Sequence, residues 1–320
     1  VGNLGSVGMN YKNATLAFEG NQYYRVEAAT YGVENKTGWG IMFRPNTTVN
    51  STLTWETSQQ ADAGLDIDLF KERLSISADY YNKITYNLIQ SQTTGWPQTI
   101  GWGAMLVNQG RIRNSGIEFT ATWKDKIGKD FSYYLTGNVA FLKNWISDIG
   151  EDPEAIWMGG GNYRLVDYCY QSHLDGPMDE FYLVKSLGVI KNDADLQEAR
   201  KAQPNAQLGD LWFEDADGDG SIDPSKDRQY VGSATPEVTY NLQGGFDWKN
   251  FSFGFQLQGV GGAQAYNIAK YSLLSDVEGD FNRSNEILNA WSPTNTGSDI
   301  PRLSKNDPNQ NWTTPSTYYL

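Results

Sequence analysis

The sequence predicts an all-β fold, an antiparallel portion of a transmembrane β-barrel whose long outer loops carry short helices. Three observations predict it. Apolar and polar residues alternate with period two along three hairpins. Each hairpin turns within a few residues, at charged positions, with aromatics near the strand ends. Long irregular stretches separate one hairpin from the next. Strands of roughly 9–11 residues, short turns at one rim, long loops at the other and aromatic girdles are the signature of an outer-membrane barrel. A large soluble β-sandwich shares the alternation but has no reason to segregate loop lengths so strictly.

Residues 1–50 are rich in Gly, Asn and Thr with scattered aromatics, and weak alternation at 15–18 and 23–29 gives two or three strands. The first clear hairpin is expected over about 59–86. Ala63, Leu65, Ile67 and Leu69 alternate with Gly64, Asp66 and Asp68. The chain turns at Phe70-Lys-Glu-Arg73, and Leu74, Ile76, Ala78 and Tyr80 continue the apolar face. Residues 87–110 read as a long loop containing Trp96, Pro97, Trp102 and Met105. The second hairpin, about 111–145, sets Ile117, Phe119, Ala121 and Trp123 against Phe131, Tyr133, Leu135, Val139 and Phe141, across a connection at 124–130.

Residues 146–207 are mostly irregular, broken by Gly159-Gly-Gly161 and several prolines. One helix is expected at 193–202, capped by Asn192 or Asp193. In the third hairpin Val238, Tyr240, Leu242, Phe246 and Trp248 share a face, the turn is Trp248-Lys-Asn-Phe251, and Phe253, Phe255 and Leu257 return. Its opposite face, Thr239, Asn241, Gln243, Gln256 and Gln258, is polar but barely charged. Residues 267–316 form another long segment, with a short helix expected at 282–290 and a strand starting at Thr317.

Composition narrows the function classes. The 320 residues are enough for one to three domains. A net charge of −13 argues against nucleic acid as a partner and would instead attract divalent cations. No apolar run is long enough for a transmembrane helix, but a barrel needs none, because closure satisfies its backbone and only alternate residues face lipid. Cys169 is the single cysteine, so no disulfide forms within the chain, and it reads as a packing or loop residue. The start, Val1-Gly-Asn-Leu, has neither a charged n-region nor an apolar h-region, which we take as a chain opened in mid-fold.

The densest chemistry is the loop Asp215-Ala-Asp-Gly-Asp-Gly-Ser-Ile-Asp223. Asp215, Asp217 and Asp219 take positions one, three and five of an EF-hand-like loop, with Gly220 at the bend and Asp223 at position nine. Alternate carboxylates can converge on one hard cation, Ca²⁺ or Mg²⁺, in a structural role. Position twelve is Lys226 rather than Glu, however, and Asp227 comes one residue late, so the donor set would need Asp227, Glu214 or carbonyls. The other reading is a solvated acidic turn shaped by Asx-type hydrogen bonds.

The loop aromatics Trp96, Trp102, Trp157, Tyr163, Tyr168, Tyr170 and Trp212 offer flat faces to sugar rings, or else pack the loops together. Trp102 and Trp157, beside Gly101, Gly103 and Gly159, are the candidate ligand contacts. Catalysis has little support. His173 is the only histidine and belongs to no triad pattern, and there is no phosphate-binding Gly loop or Cys/His cluster. We expect a protein that is not an enzyme.

Several stretches resemble the landmarks of SusC/RagA-type TonB-dependent outer-membrane transporters. They include Leu53-Thr-Trp-Glu56, Gly64-Leu-Asp-Ile-Asp-Leu-Phe70, Asp79-Tyr-Tyr-Asn-Lys-Ile-Thr85 and Asn108-Gln-Gly-Arg-Ile-Arg-Asn-Ser-Gly116. Gly209-Asp-Leu, Asp217-Gly-Asp-Gly-Ser-Ile-Asp223 with Asp227-Arg228, and Gln258-Gly-Val-Gly-Gly262 follow in the same order. The likeness spans about 50–320. It implies that residues 1–320 are part of one barrel domain, half or less of a 22-stranded barrel, with the plug, the first strands and the last strands lying outside the chain. It also implies import of a nutrient, most often an oligosaccharide and sometimes a peptide. A SusD-like surface lipoprotein would form the lid, and a TonB complex would supply energy through the N-terminal part.

Two readings from other classes remain at this stage. One is a secreted or surface β-rich glycan-binding module, Ca²⁺-stabilised; the other is a glycoside hydrolase domain. The outward sets discriminate. A membrane wall leaves Leu74, Ile76, Tyr80, Phe253 and Phe255 facing lipid, whereas a soluble module buries them against a second sheet.

Overall fold

The period-two alternation produces one continuous antiparallel sheet. A computed structural model describes residues 52–92, 105–150, 157–159, 169–275 and 282–320. The sheet is built from β1 (Thr57–Leu69), β2 (Leu74–Tyr86), β5 (Arg111–Ile127), β6 (Phe131–Asp148), β13 (Val238–Trp248) and β14 (Phe251–Gly261), side by side in that order. The three hairpins fall where the alternation puts them, and the first and third turn at the expected residues. Lys71 and Glu72 turn the first hairpin and Lys249 the third in left-handed conformation, and Gly128 does so in the second. The sheet's two ends, β1 and β14, are not joined, so the described strands form a wall and not a closed barrel.

β5 and β6 run 17 and 18 residues, beyond the expected 9–11. Lys124, Asp125, Lys126 and Ile127 stay paired with Tyr134, Tyr133, Ser132 and Phe131, which shrinks the expected connection at 124–130 to residues 128–130. Strand length here follows cross-strand pairing, which a charged stretch such as Lys124-Asp-Lys126 does not advertise.

All three short connections lie at one rim. At the other, the long segments fold on themselves. The 87–110 loop carries a small hairpin, β3 (Ile89–Gln92) with β4 (Met105–Asn108). The stretch read as irregular contains β7 (Trp157–Gly159), β8 (Tyr170–Ser172), β9 (Glu180–Val184) and β10 (Ser186–Val189). β10 pairs with β11 (Leu211–Phe213), and β12 (Arg228–Ser233) joins β9, β8 and β7 in a four-stranded sheet. The expected helix is shorter, α1 (Asp193–Ala199), with the Asn192 carboxamide accepting the Asp195 N–H at 2.9 Å. A second helix, α2 (Ala269–Leu274), was not expected. The segment at 282–290 is a 3₁₀ turn, Asn285–Asn289. The chain end, expected as a strand, is a 3₁₀ turn at Thr317–Tyr319, held because Tyr319 is fully buried and its hydroxyl donates to the Trp312 carbonyl at 2.5 Å. The strands expected within 1–50 lie outside the described residues.

The core sits in this loop assembly rather than on the sheet. Leu183, Val184, Ile190, Leu211, Trp312 and Tyr319 are fully buried there. Leu65, Phe119, Phe141, Phe253 and Leu257 on the sheet are exposed.

Candidate functional site

Register turns the alternation into two surfaces. One row crosses all six strands as Ile67, Ile76, Ala121, Gly137, Leu242 and Leu257. The row above it is Leu65, Ala78, Phe119, Val139, Tyr240 and Gly259. One residue along each strand, the opposite face reads Asp66, Ser77, Thr120, Asn138, Asn241 and Gln258, then Asp68, Ser75, Thr122, Thr136, Gln243 and Gln256. No second sheet covers the apolar face among the described residues: Leu65 and Leu257 are about 60% exposed and Phe253 is 50% exposed. Leu74 and Ile76, on an interior strand of the sheet, are half-buried.

The apolar face has aromatic borders. At the rim of short turns, Phe131 stacks on Phe246 with ring centroids 5.7 Å apart, Phe246 meets Phe253 at 5.6 Å, and Phe70 meets Trp123 at 6.2 Å. Toward the loops the last apolar row is Tyr80, Ile117, Phe141 and Val238. Between Phe131 and Phe141 the strand rises about 34 Å, and a tilt of about 45° leaves roughly 24 Å along the membrane normal. That height matches the hydrocarbon band of an outer-membrane barrel, about 25 Å.

The polar face is not uniform. On β6, β13 and β14 it is mostly hydroxyl and carboxamide, whereas on β1, β2 and β5 it carries Asp62, Asp66, Asp68, Asp79 and Glu118 with Lys83 as counter-charge. Hydroxyls satisfy some of the carboxylates: Ser75 donates to Asp68 at 2.5 Å and Ser77 to Asp79 at 3.1 Å.

Above this wall the loop assembly hangs on Asp210, a fully buried carboxylate inside the Gly209-Asp-Leu landmark. Arg302 donates to both its oxygens, from Nε at 2.7 Å and from the guanidinium terminus at 3.3 Å. Asn311 Nδ2 donates to Oδ1 at 3.0 Å and the Gln207 N–H to Oδ2 at 2.8 Å. Gln203, Asn309 and Asn311 extend the network onto the backbone of β11. Gly209 has φ +89° and lies under the Trp291 ring, where a side chain would collide. Neither role shows in composition or periodicity, because each depends on partners about a hundred residues away.

The acidic loop splits in two. Asp215, Asp217 and Asp227 bring one carboxylate oxygen each within 4.8 Å of one another. Asp227 is fully buried, accepting the N–H groups of Ala216 at 2.8 Å and Asp217 at 3.4 Å on one oxygen and that of Asp223 at 2.6 Å on the other. Asp215 accepts from Gly218 and Gly220. Asp219 and Asp223 stand outside the trio. Lys226, at position twelve, is bound to Asp219 at 2.8 Å, and this ammonium together with Ser221 holds the Asp219 carboxyl down to about 2. Ser225 likewise lowers Asp223. The loop therefore has Asx-turn geometry and a three-carboxylate convergence at once, and the third member of the trio is Asp227.

Of the loop aromatics, Tyr170 packs on Phe181 at 4.9 Å, and half-buried Trp212 packs against the cluster of Ile190, Ala199 and Ala206. Trp102 lies outside the described residues, as do Trp96, Tyr163 and Tyr168. The backbone of Trp157 pairs with Ser172 in β7. His173 is a packing residue, its ring 4.0 Å from Tyr230 and its Nε2 3.1 Å from Glu180 Oε2.

Comparison with known proteins agrees with this architecture. The family model for the β-barrel of TonB-dependent receptors matches residues 3–293. TonB-dependent receptor P3 of Formosa agariphila is 30% identical over 254 residues, 79% of this chain and 25% of that protein. TonB-dependent receptor SusC of Bacteroides thetaiotaomicron is 28% identical over 231 residues, 71% of this chain and 21% of that protein. The chain thus spans about a quarter of the length of the curated relatives it matches. Among solved structures, the RagAB peptide transporter superposes with a TM-score of 0.62 at 21% identity, covering 88% of this chain and 30% of that one, a likeness of fold. The family consists of outer-membrane transport proteins and not of enzymes. With a family match across most of its length and the two-faced wall that such a barrel requires, the chain belongs to the TonB-dependent receptor β-barrel family.

Proposed function

We propose that this chain forms wall and outer-loop structure of a TonB-energised importer that admits a nutrient oligosaccharide beneath a SusD-like lipoprotein lid. The observation that carries it is the wall itself, which presents an uncovered apolar face about one membrane thick and a hydroxyl- and amide-rich face for the lumen. Hydroxyls and carboxamides suit the hydroxyl groups of sugars. The carboxylates on β1, β2 and β5 repel anionic solutes and favour neutral or cationic ones. Cationic peptides are the second reading, favoured by those same carboxylates. Trp102 and Trp157 are proposed as stacking faces for sugar rings. The trio Asp215, Asp217 and Asp227 is proposed to hold Ca²⁺ as a structural staple, since three carboxylates in such proximity call for a countercharge.

The test uses the full-length parent protein. Outer-membrane recovery, co-purification of a surface lipoprotein, and uptake of labelled neutral oligosaccharide in preference to sulfated or carboxylated ones are the expected results. A parent that is soluble without detergent would remove the importer proposal and restore the soluble glycan-binding module. Outer-membrane recovery with uptake of peptides alone would replace the oligosaccharide.

A further inference from the structure

The apolar face ends, toward the loops, in cations. Continuing up β5 and β6 on the same outward parity, Ser115 pairs with Lys143 and Arg113 with Trp145. The Lys143 ammonium lies 5.3 Å from the centre of the Trp145 ring and the Arg113 guanidinium 5.7 Å from it. Among the described residues neither cation has a carboxylate partner, and Arg113 Nε is buried with no hydrogen-bond acceptor. Cations here are out of keeping with a chain of net charge −13. β5 and β6 are interior strands of the sheet, flanked by β2 and β13, so further barrel strands added at β1 or β14 leave this outward surface uncovered.

Beside the cations a cleft of about 640 Å³ opens where β6 outruns β13. Tyr80, Ile117, Phe141 and Val238 give it an apolar floor, and Lys143 and Trp145 stand at the membrane-distal side. Asp175, Glu180 and Glu237 also line it, and Glu180 is engaged by His173. A wholly anionic ligand would be repelled from that part, while an amphiphile with its anionic group at the Lys143–Arg113 side and an acyl chain on the floor fits the charges and the apolar surface together. At the upper edge of an outer-membrane wall the surrounding molecules of that description are the phosphorylated glycolipids of the outer leaflet.

We propose that Lys143, Arg113 and Trp145 form a docking site for the phosphorylated headgroup of an outer-leaflet glycolipid, its acyl chain lying over Tyr80, Ile117, Phe141 and Val238. The proposal rests on the membrane-wall reading above. The Arg113 guanidinium terminus and the Lys143 ammonium act as donors to phosphate oxygens, and Trp145 holds both stems in place.

The experiment titrates purified lipopolysaccharide onto the full-length protein in detergent and reads bound glycolipid by native mass spectrometry. The expected result is saturable binding that weakens about 30-fold in the double variant Lys143→Gln/Arg113→Gln and about 5-fold in Lys143→Gln alone. Lys83→Gln, on the opposite face, is expected to leave it unchanged. Enzymatically dephosphorylated glycolipid should bind wild type as weakly as intact glycolipid binds the double variant. Heat-dependent gel mobility reports whether each variant is folded, and if the double variant is not, the exposed Lys143→Gln decides. Unchanged binding in folded variants, or displacement by millimolar inorganic phosphate alone, overturns the headgroup site while leaving the barrel intact. Failure of the parent to fractionate with the outer membrane overturns the wall reading, and the site with it.

Discussion

Leu242→Arg tests the orientation of the wall with the largest expected signal. Leu242 pairs with Gly137 on one side and Leu257 on the other, close to the middle of the band bounded by Phe131 and Phe141. A cation at the bilayer midplane of such a barrel costs about 2–4 kcal/mol, falling to about 0–1 near the interface. The same substitution at Trp248, on the border row with Phe131 and Phe251, should therefore cost at most about 1 kcal/mol. Gln243→Arg, one residue along and facing the lumen, should be close to neutral. Urea-unfolding equilibria of the refolded full-length protein in vesicles measure all three, and the midplane cost corresponds to about 30- to 800-fold in the folding equilibrium. A flat cost along the strand, or Gln243→Arg as damaging as Leu242→Arg, would refute the assignment of faces, because burial against a second sheet has no reason to grade with depth.

Arg302→Met leaves the buried Asp210 carboxylate without its cation and should destabilise the loop assembly by about 3–5 kcal/mol, read as lost amide-exchange protection over 203–213. Asp227→Ala strands three backbone N–H groups and should cost about 2–4 kcal/mol locally, seen as faster exchange across 215–227. Millimolar Ca²⁺ should raise protection of that loop and a chelator reverse it, with Asp217→Asn abolishing the response; indifference to Ca²⁺ would leave only the Asx-turn description. Asp219 has a depressed pKa, so its pairing with Lys226 stabilises the loop above the ordinary carboxylate value of about 3.9 and is lost as pH falls through about 2, which a pH series of loop exchange would follow. Burial pushes the Cys169 thiol up, so maleimide should modify it at neutral pH only after the loop assembly unfolds.

The wall was legible because a half-apolar strand writes its orientation into every second residue. Leu65, Ile67 and Leu69, or Phe251, Phe253 and Phe255, needed no partner to be read, and the turns at Phe70–Arg73 and Trp248–Phe251 followed from where alternation broke. Strand ends were harder, since Lys124 and Lys126 remain in β5 through pairing with Tyr134 and Ser132. The loop assembly was largely hidden. Its short strands are fixed by contacts such as Gln203 to Asn309 and Ser186 to Thr317, and no local pattern announces a partner that distant. The acidic loop was visible as a run of Asp, but the sequence could not say that Lys226 would draw Asp219 aside while Asp227 turned inward.

The connection between β6 and β13 bears on how the protein folds. The three hairpins close across a few residues each, whereas Phe141 and Val238 pair across nearly a hundred. Closing a flexible loop of that length costs about 4 kcal/mol, against about 1 kcal/mol for a tight turn. A chain that left this segment loose would zip its hairpins early and join β6 to β13 late. Here the segment folds on itself, and its bridge and turn at 174–176 hydrogen-bond to the Ile146 backbone while the Glu237 carbonyl accepts from the Leu142 N–H. An insert that folds first would hold the start of β13 at the top of β6 and so shorten the loop that their pairing must close. We expect pulse-labelled exchange to show β9 and β11 protected before β13, and an Arg302→Met chain to slow the joining of the wall far more than the closing of its hairpins.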